Sequence, residues 1–286
     1  MKRLFNLLAV GLAIPLGLAA MIGFRAARAA SQYLTPTREK IGAPPAMPRP
    51  LEPVSFTTQD GITLKGWWEP GVNGAAVVWV HGINQSRLSA VEEARWLADS
   101  GFGVLLFDLR AHGESGDTVC TYGDHEVLDV DAALDFARAQ PGVQKLGAVG
   151  FSIGASALAA AAASRHDLDA IVLIAPYTTL REAIDSDFAT RGLISEKPAE
   201  WALERGGVDL DHLKPIDALP KLKAHPLLVI AGDKETDMPM IERLFAAAGP
   251  EGQTWLVPGA EHGQYRHVTE AEYKKRLLEF FAPLAK

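Results

Sequence analysis

The chain has 286 residues, 48% of them hydrophobic, enough for one large domain with a sizeable core. A single cysteine, Cys120, excludes an intramolecular disulfide and any four-cysteine metal site. The net charge of −7 is unevenly divided: residues 1–49 hold seven Lys or Arg and one Glu, leaving 21 basic against 34 acidic residues beyond. So acidic a body is a poor match for nucleic acid, and no nucleic-acid partner is expected.

The basic end opens with Lys2 and Arg3, followed by an uncharged run from Leu4 to Phe24. As a helix rising about 1.5 Å per residue, that run is roughly 31 Å long, the thickness of a bilayer's hydrocarbon core. Residues 1–30 are therefore read as an N-terminal transmembrane anchor, which makes the membrane a partner. The alternative is a secretory signal cleaved at Ala27-x-Ala29 to release a secreted protein, although the apolar region of such a signal is usually only about 7–15 residues. Residues 31–53 follow as a linker; six prolines fall between 36 and 53, and an extended tether is expected there.

The folded body is expected over residues 54–286. VSFTT, the turn QDG and ITLKGWW predict a hairpin. After it, short apolar runs alternate with helical stretches: AAVVWV, GVLLF, LGAVGF, AIVLIA, PLLVIAG and QTWLV. Runs without polar alternation are strands buried on both faces, which predicts a mostly parallel sheet flanked by helices. Its site should lie at the carboxyl ends of the strands. Residues of about 178–225, between two such strands, exceed an ordinary crossover and predict a small helical cap.

Gly150-Phe151-Ser152-Ile153-Gly154 sits between a predicted strand and an Ala-rich helix. The pattern alone also marks an ordinary Gly-rich helix start. At a strand-to-helix elbow, however, it holds a nucleophilic serine on a strained turn with small neighbours on either side. The helix N-terminus beneath Ser152 supplies partial positive charge. At the end of AAVVWV, His81-Gly82 leads to Ile83, whose backbone N–H, with that of Ile153, could form an oxyanion hole; the plain alternative is a strand-end turn. His81 is read as structural. A serine nucleophile needs a base, and His262, in the loop after the last strand, is the candidate, although a lone loop histidine is often only surface.

Together these segments resemble the α/β-hydrolase superfamily over nearly all of residues 54–286. HGIN resembles its oxyanion loop, DLRAHGES its D-x-R-G-H-G-x-S loop with Ala111 for the usual Gly, GFSIG its nucleophile elbow and PGAEHG its histidine loop. The apolar start also resembles membrane-anchored serine hydrolases of that superfamily. The resemblance implies a catalytic acid in AGDKETDMP, where Glu235 occupies the family's Asp position; Asp237 and Asp233 stay open as alternatives. It further implies a Ser152, His262 and Glu235 triad cleaving an ester, thioester or related acyl bond of a small or lipid-like substrate, with no metal or organic cofactor. A peptidase or amidase on the same fold, and a catalytically silent binding protein, are the alternatives. Asp108, Arg110 and His112 are expected to brace their loop, Tyr177 to face the site, and Asp124 to cap the helix that follows it.

Overall fold

The computed structural model describes residues 2–188, 191–235 and 237–285, with side chains from residue 15 onward. Eight strands form one sheet in the spatial order β1-β2-β4-β3-β5-β6-β7-β8. β1 (Glu52–Thr57) and β2 (Thr63–Glu69) make the antiparallel hairpin, and β2 runs antiparallel to β4 (Gly103–Phe107). All remaining neighbours are parallel: β3 (Ala75–Val80), β5 (Lys145–Phe151), β6 (Ala170–Ile174), β7 (Leu227–Gly232) and β8 (Gln253–Val257). Every residue of β3, β4, β6 and β7 is buried, so none of these strands has a solvated face to carry polar residues. β8, at the edge, exposes Thr254 and Leu256 between buried Trp255 and Val257.

Two apolar layers flank the sheet. On one face α2 (Val91–Asp99) and α9 (Tyr265–Phe281) bring Trp96, Leu277 and Phe281 into a cluster with Val77, Leu106 and Val172. Phe281 lies so close over β5 that a Cβ on Gly147 would come within 2.5 Å of its ring, which is why that strand carries glycine there. Burying such a ring is worth ~1.5–3 kcal/mol. The other face is covered by α3 (Glu126–Arg138), α4 (Ile153–Ala162) and α8 (Met238–Ala248). Between β6 and β7 the chain forms α5 (Leu180–Phe188), α6 (Leu193–Arg205), α7 (Pro215–Ala218) and a 3-10 turn at Leu219–Ala224.

The N-terminal segment departs from expectation. α1 spans Lys2–Tyr33, but among the described residues no helix is long and apolar enough to cross a membrane, so the expected transmembrane span is not borne out there. The side chains of residues 1–14, where that expectation began, lie outside the described residues. The second half of α1, with Leu34 just beyond it, instead packs on α6: Ala26, Ala30 and Leu34 are buried, and a Cβ on Gly23 would stand 3.0 Å from Pro198. Small residues four apart let two helices approach closely, and the seam uses that device. The proline-rich segment is not a free tether either. Arg38 donates to the carbonyls of Gly113, Ser115 and Gly116, and Arg49 to those of Pro70, Ala98 and Phe102. Proline rigidity kept the segment extended, but its two arginines fasten it to the body.

Candidate active site

Ser152 follows β5 and caps α4 with φ 54° and ψ −121°, a left-handed backbone that aims its side chain off the sheet. Its flanking glycines are required by contact: a Cβ on Gly150 would lie 2.6 Å from Ala155 Cα, and one on Gly154 2.4 Å from the His81 carbonyl oxygen. The Ser152 N–H donates to Ile174 O at 2.9 Å, pinning the elbow to β6. His262 Nε2 stands 3.1 Å from Ser152 Oγ, and its Nδ1 stands 3.2 Å from Glu235 Oε2. Three residues from three separate loops therefore form one hydrogen-bonded line at the carboxyl ends of β5, β7 and β8.

The three carboxylates of AGDKETDMP have different tasks. Glu235 Oε1 accepts from the Gly232 N–H at 2.8 Å and the Tyr265 hydroxyl at 2.6 Å, leaving Oε2 for the histidine. Burial pushes the Glu235 carboxyl up, but the hydrogen bonds from His262, Tyr265 and Gly232 outweigh it and hold the group below its ordinary range. Asp233 Oδ1 accepts from the Gly259 N–H at 2.7 Å, and the Lys234 N–H donates to Ala260 O at 3.0 Å, so this loop and the histidine loop are fastened together. Asp237 caps α8, accepting from the Met240 N–H at 3.0 Å.

The comparisons with known proteins agree with this architecture. Residues 75–219 match the model of the alpha/beta hydrolase fold family. An uncharacterised Mycobacterium tuberculosis protein is 32% identical over 216 residues, covering 73% of this chain and 71% of its own. The chain belongs to the α/β-hydrolase family. Uncharacterised YfhR of Escherichia coli is 28% identical over 75% of this hydrolase and 74% of its own length. Among solved structures, the Pyrococcus furiosus esterase Pf2001 superposes with a TM-score of 0.74 at 25% identity, covering 87% of this chain and 97% of that one.

Ser152, Ile83 and Ile153 line one cavity of about 640 Å³, together with Glu235 and His262. Ile153 opens α4, so its N–H is among those a helix leaves without an internal partner. The Ile83 loop is held from below. His112 Nε2 accepts from the Asn84 N–H at 3.3 Å while its Nδ1 donates to Arg110 O at 2.8 Å. His81 Nε2 accepts from the Leu109 N–H at 3.0 Å, and Nδ1 donates to Gly82 O at 2.7 Å. Burial and the neighbouring His112 bring His81 down to about 3, so it stays neutral and structural. Asp108 binds Arg87 and the Glu114 N–H, and Arg110 is shared by Asp60 and Asp129. DLRAHGES thus braces the loop above it.

Tyr177 lines the cavity and donates to Tyr122 O at 2.5 Å. Asp124 does not cap α3; it pairs with His212 at 2.5 Å, and Glu126 accepts from the Thr121 and Gly123 N–H groups instead. Sequence reasoning missed Tyr265, Tyr33, Tyr122 and Asp187. Tyr33 reaches the cavity from α1, Tyr122 sits beside it with a left-handed φ of 60°, and Asp187 comes from the cap. Although Asp187 is open to the cavity, the protein around it desolvates its carboxyl and pushes it above the ordinary range. Only Tyr265 left a signal: a tyrosine three positions past the candidate base, at the start of a helix.

Proposed function

We propose that this hydrolase cleaves acyl esters through a serine nucleophile, Ser152, with His262 as general base and Glu235 as the orienting acid. The observation that carries this reading is the hydrogen-bonded line from Ser152 Oγ through His262 to Glu235 at the wall of a cavity that Ile83 and Ile153 also line. Ser152 Oγ attacks the acyl carbon while its proton passes to His262 Nε2. The carbonyl oxygen becomes an oxyanion facing the Ile83 and Ile153 N–H groups, each such donor being worth ~2.7–4 kcal/mol. Collapse expels the alcohol, which takes the proton from His262, and leaves an acyl-Ser152 ester. Water, deprotonated by His262, then attacks that ester, and Ser152 Oγ leaves with the proton from His262 as the acid is released.

Glu235 holds the imidazole in the tautomer with Nδ1–H facing its own carboxylate and stabilises the imidazolium that forms. The cavity's apolar lining by Ile153, Ile184, Met240 and Ile241 suits an acyl chain. The esterase named among its structural neighbours supports the same class. The test is hydrolysis of 4-nitrophenyl esters of graded chain length beside an aminoacyl 4-nitroanilide. Ester turnover that depends on Ser152 supports the reading; turnover of the anilide alone assigns the site to peptide bonds, and turnover of neither removes the proposal.

A further inference from the structure

Seven of the ten large apolar side chains that stand exposed among the described residues belong to two helices packed on each other. Leu16, Leu18, Met21 and Phe24 are on α1; Leu193, Ile194 and Trp201 are on α6. At about 100° per residue, the four on α1 spread over roughly 200° of the helix, opposite the Gly23, Ala26 and Ala30 seam that faces α6. A protein groove covers one stripe of a helix; a lipid phase surrounds it. Arg25 and Arg28 follow on the same side within the next turn, and the exposed Arg205 stacks over the Trp201 ring at 5.5 Å. An apolar patch bordered by arginines and a tryptophan has the composition of a membrane interface, and its positive border stands out on a body that is otherwise acidic.

We propose that α1 and α6 together form a membrane-docking face, so that the cap itself rests on a lipid bilayer rather than hanging from it on a tether. Resting on the hydrolase reading above, this face also specifies where the acyl substrate comes from. Tyr33 lies eight residues beyond Arg25 on the same helix, about 12 Å along its axis, and lines the cavity that holds Ser152. A cavity that near to headgroup level receives acyl chains presented at the bilayer surface.

Cys120, the sole cysteine, is fully buried, so one introduced cysteine can take a fluorescent label. The experiment places bimane on Trp201→Cys, Ile194→Cys and Val72→Cys variants of the full chain, bound to phosphatidylcholine vesicles with or without phosphatidylglycerol, and reads quenching by nitroxide-labelled lipid. Val72 is exposed just before β3, at the end of the sheet remote from the cap. Labels at 201 and 194 are expected to be quenched about threefold more than at 72, as for side chains seated roughly 5–10 Å into the headgroup boundary. Equal quenching at all three positions, or no vesicle binding, overturns the proposal. Because quenching needs no turnover, the Ser152→Ala protein must give the same pattern, which separates failure of docking from failure of the hydrolase reading.

Discussion

The Tyr265 hydroxyl donates to Glu235 Oε1 at 2.6 Å, on the opposite side of the carboxylate from His262 Nδ1 at 3.2 Å from Oε2. A glutamate has one more rotatable bond than an aspartate, and this second donor, with the Gly232 N–H, removes that freedom. Tyr265→Phe keeps the ring packed while deleting the bond. If the lost interaction, ~1.5 kcal/mol for a hydrogen bond to a charged group, serves only to orient the acid, kcat/KM falls about tenfold. Steady-state kinetics on a 4-nitrophenyl ester check this; an unchanged kcat/KM shows that Glu235 is positioned without Tyr265.

The elbow glycine at 154 is a question of space. A Cβ there would meet the His81 and Val80 carbonyl oxygens at 2.4 and 2.6 Å, and neither backbone can retreat without moving β3. Gly154→Ala is expected to cost ~1–3 kcal/mol, the usual range for overpacking. The melting temperature should fall, and ester hydrolysis should fall with it because Ser152 is displaced. A variant that melts with the parent contradicts this account of the elbow.

Asp60 reports on the brace beneath the site. Its hydrogen bond from Arg110 holds the carboxyl down to about 2, whereas an unfolded aspartate titrates near about 3.9. The unfolded chain therefore takes up the proton first as pH falls. The stability from this group is present above about pH 4 and is lost as pH drops through about 2. Solvent reaches part of the pair and trims the effect. Asp60→Asn should lower the melting temperature at neutral pH and flatten its decline between pH 4 and 2. An equally steep decline in the variant would assign the acid sensitivity to another carboxylate.

Removing residues 1–34 strips Tyr33 from the cavity wall and uncovers the face of α6 that Ala26, Ala30 and Leu34 bury. The shortened protein is expected to melt lower than the full chain and to lose discrimination between short and long acyl esters, read as the ratio of kcat/KM values. An unchanged ratio would mean that α1 contributes nothing to substrate fit.

The sheet was legible because strands buried on both faces must be apolar throughout, and β3, β4, β6 and β7 are. Ser152 and His262 stood out because their loops carry turn chemistry at fixed places relative to those strands, whereas Glu235 was singled out from Asp233 and Asp237 only by the family resemblance, since the local sequence offers three carboxylates in five positions. The long segment between β6 and β7 announced helices but not their contacts, since pairing depends on which faces meet. α1 shows the limit most clearly: its apolarity was read as a membrane anchor or a cleaved signal, whereas the small residues Gly23, Ala26 and Ala30 serve a helix of the same chain. Tyr33 in the cavity followed from that packing, and local sequence held no sign of it. Asp124 looked like a helix cap, but its carboxylate is taken by His212 from a distant loop, while Glu126 reaches back from α3 to the Thr121 and Gly123 N–H groups ahead of the helix.

The central claim is that Ser152 is a nucleophile activated by His262 and oriented by Glu235. It is tested most directly by labelling the full chain with a fluorophosphonate beside Ser152→Ala, His262→Ala and Glu235→Gln. The account predicts rapid labelling of the parent, none without Ser152, and a rate reduced by roughly 10⁴ or more in the other two, the size of loss seen when a triad member or its tautomer is disturbed. A folded parent that stays unlabelled, or labelling that survives Ser152→Ala, would contradict it.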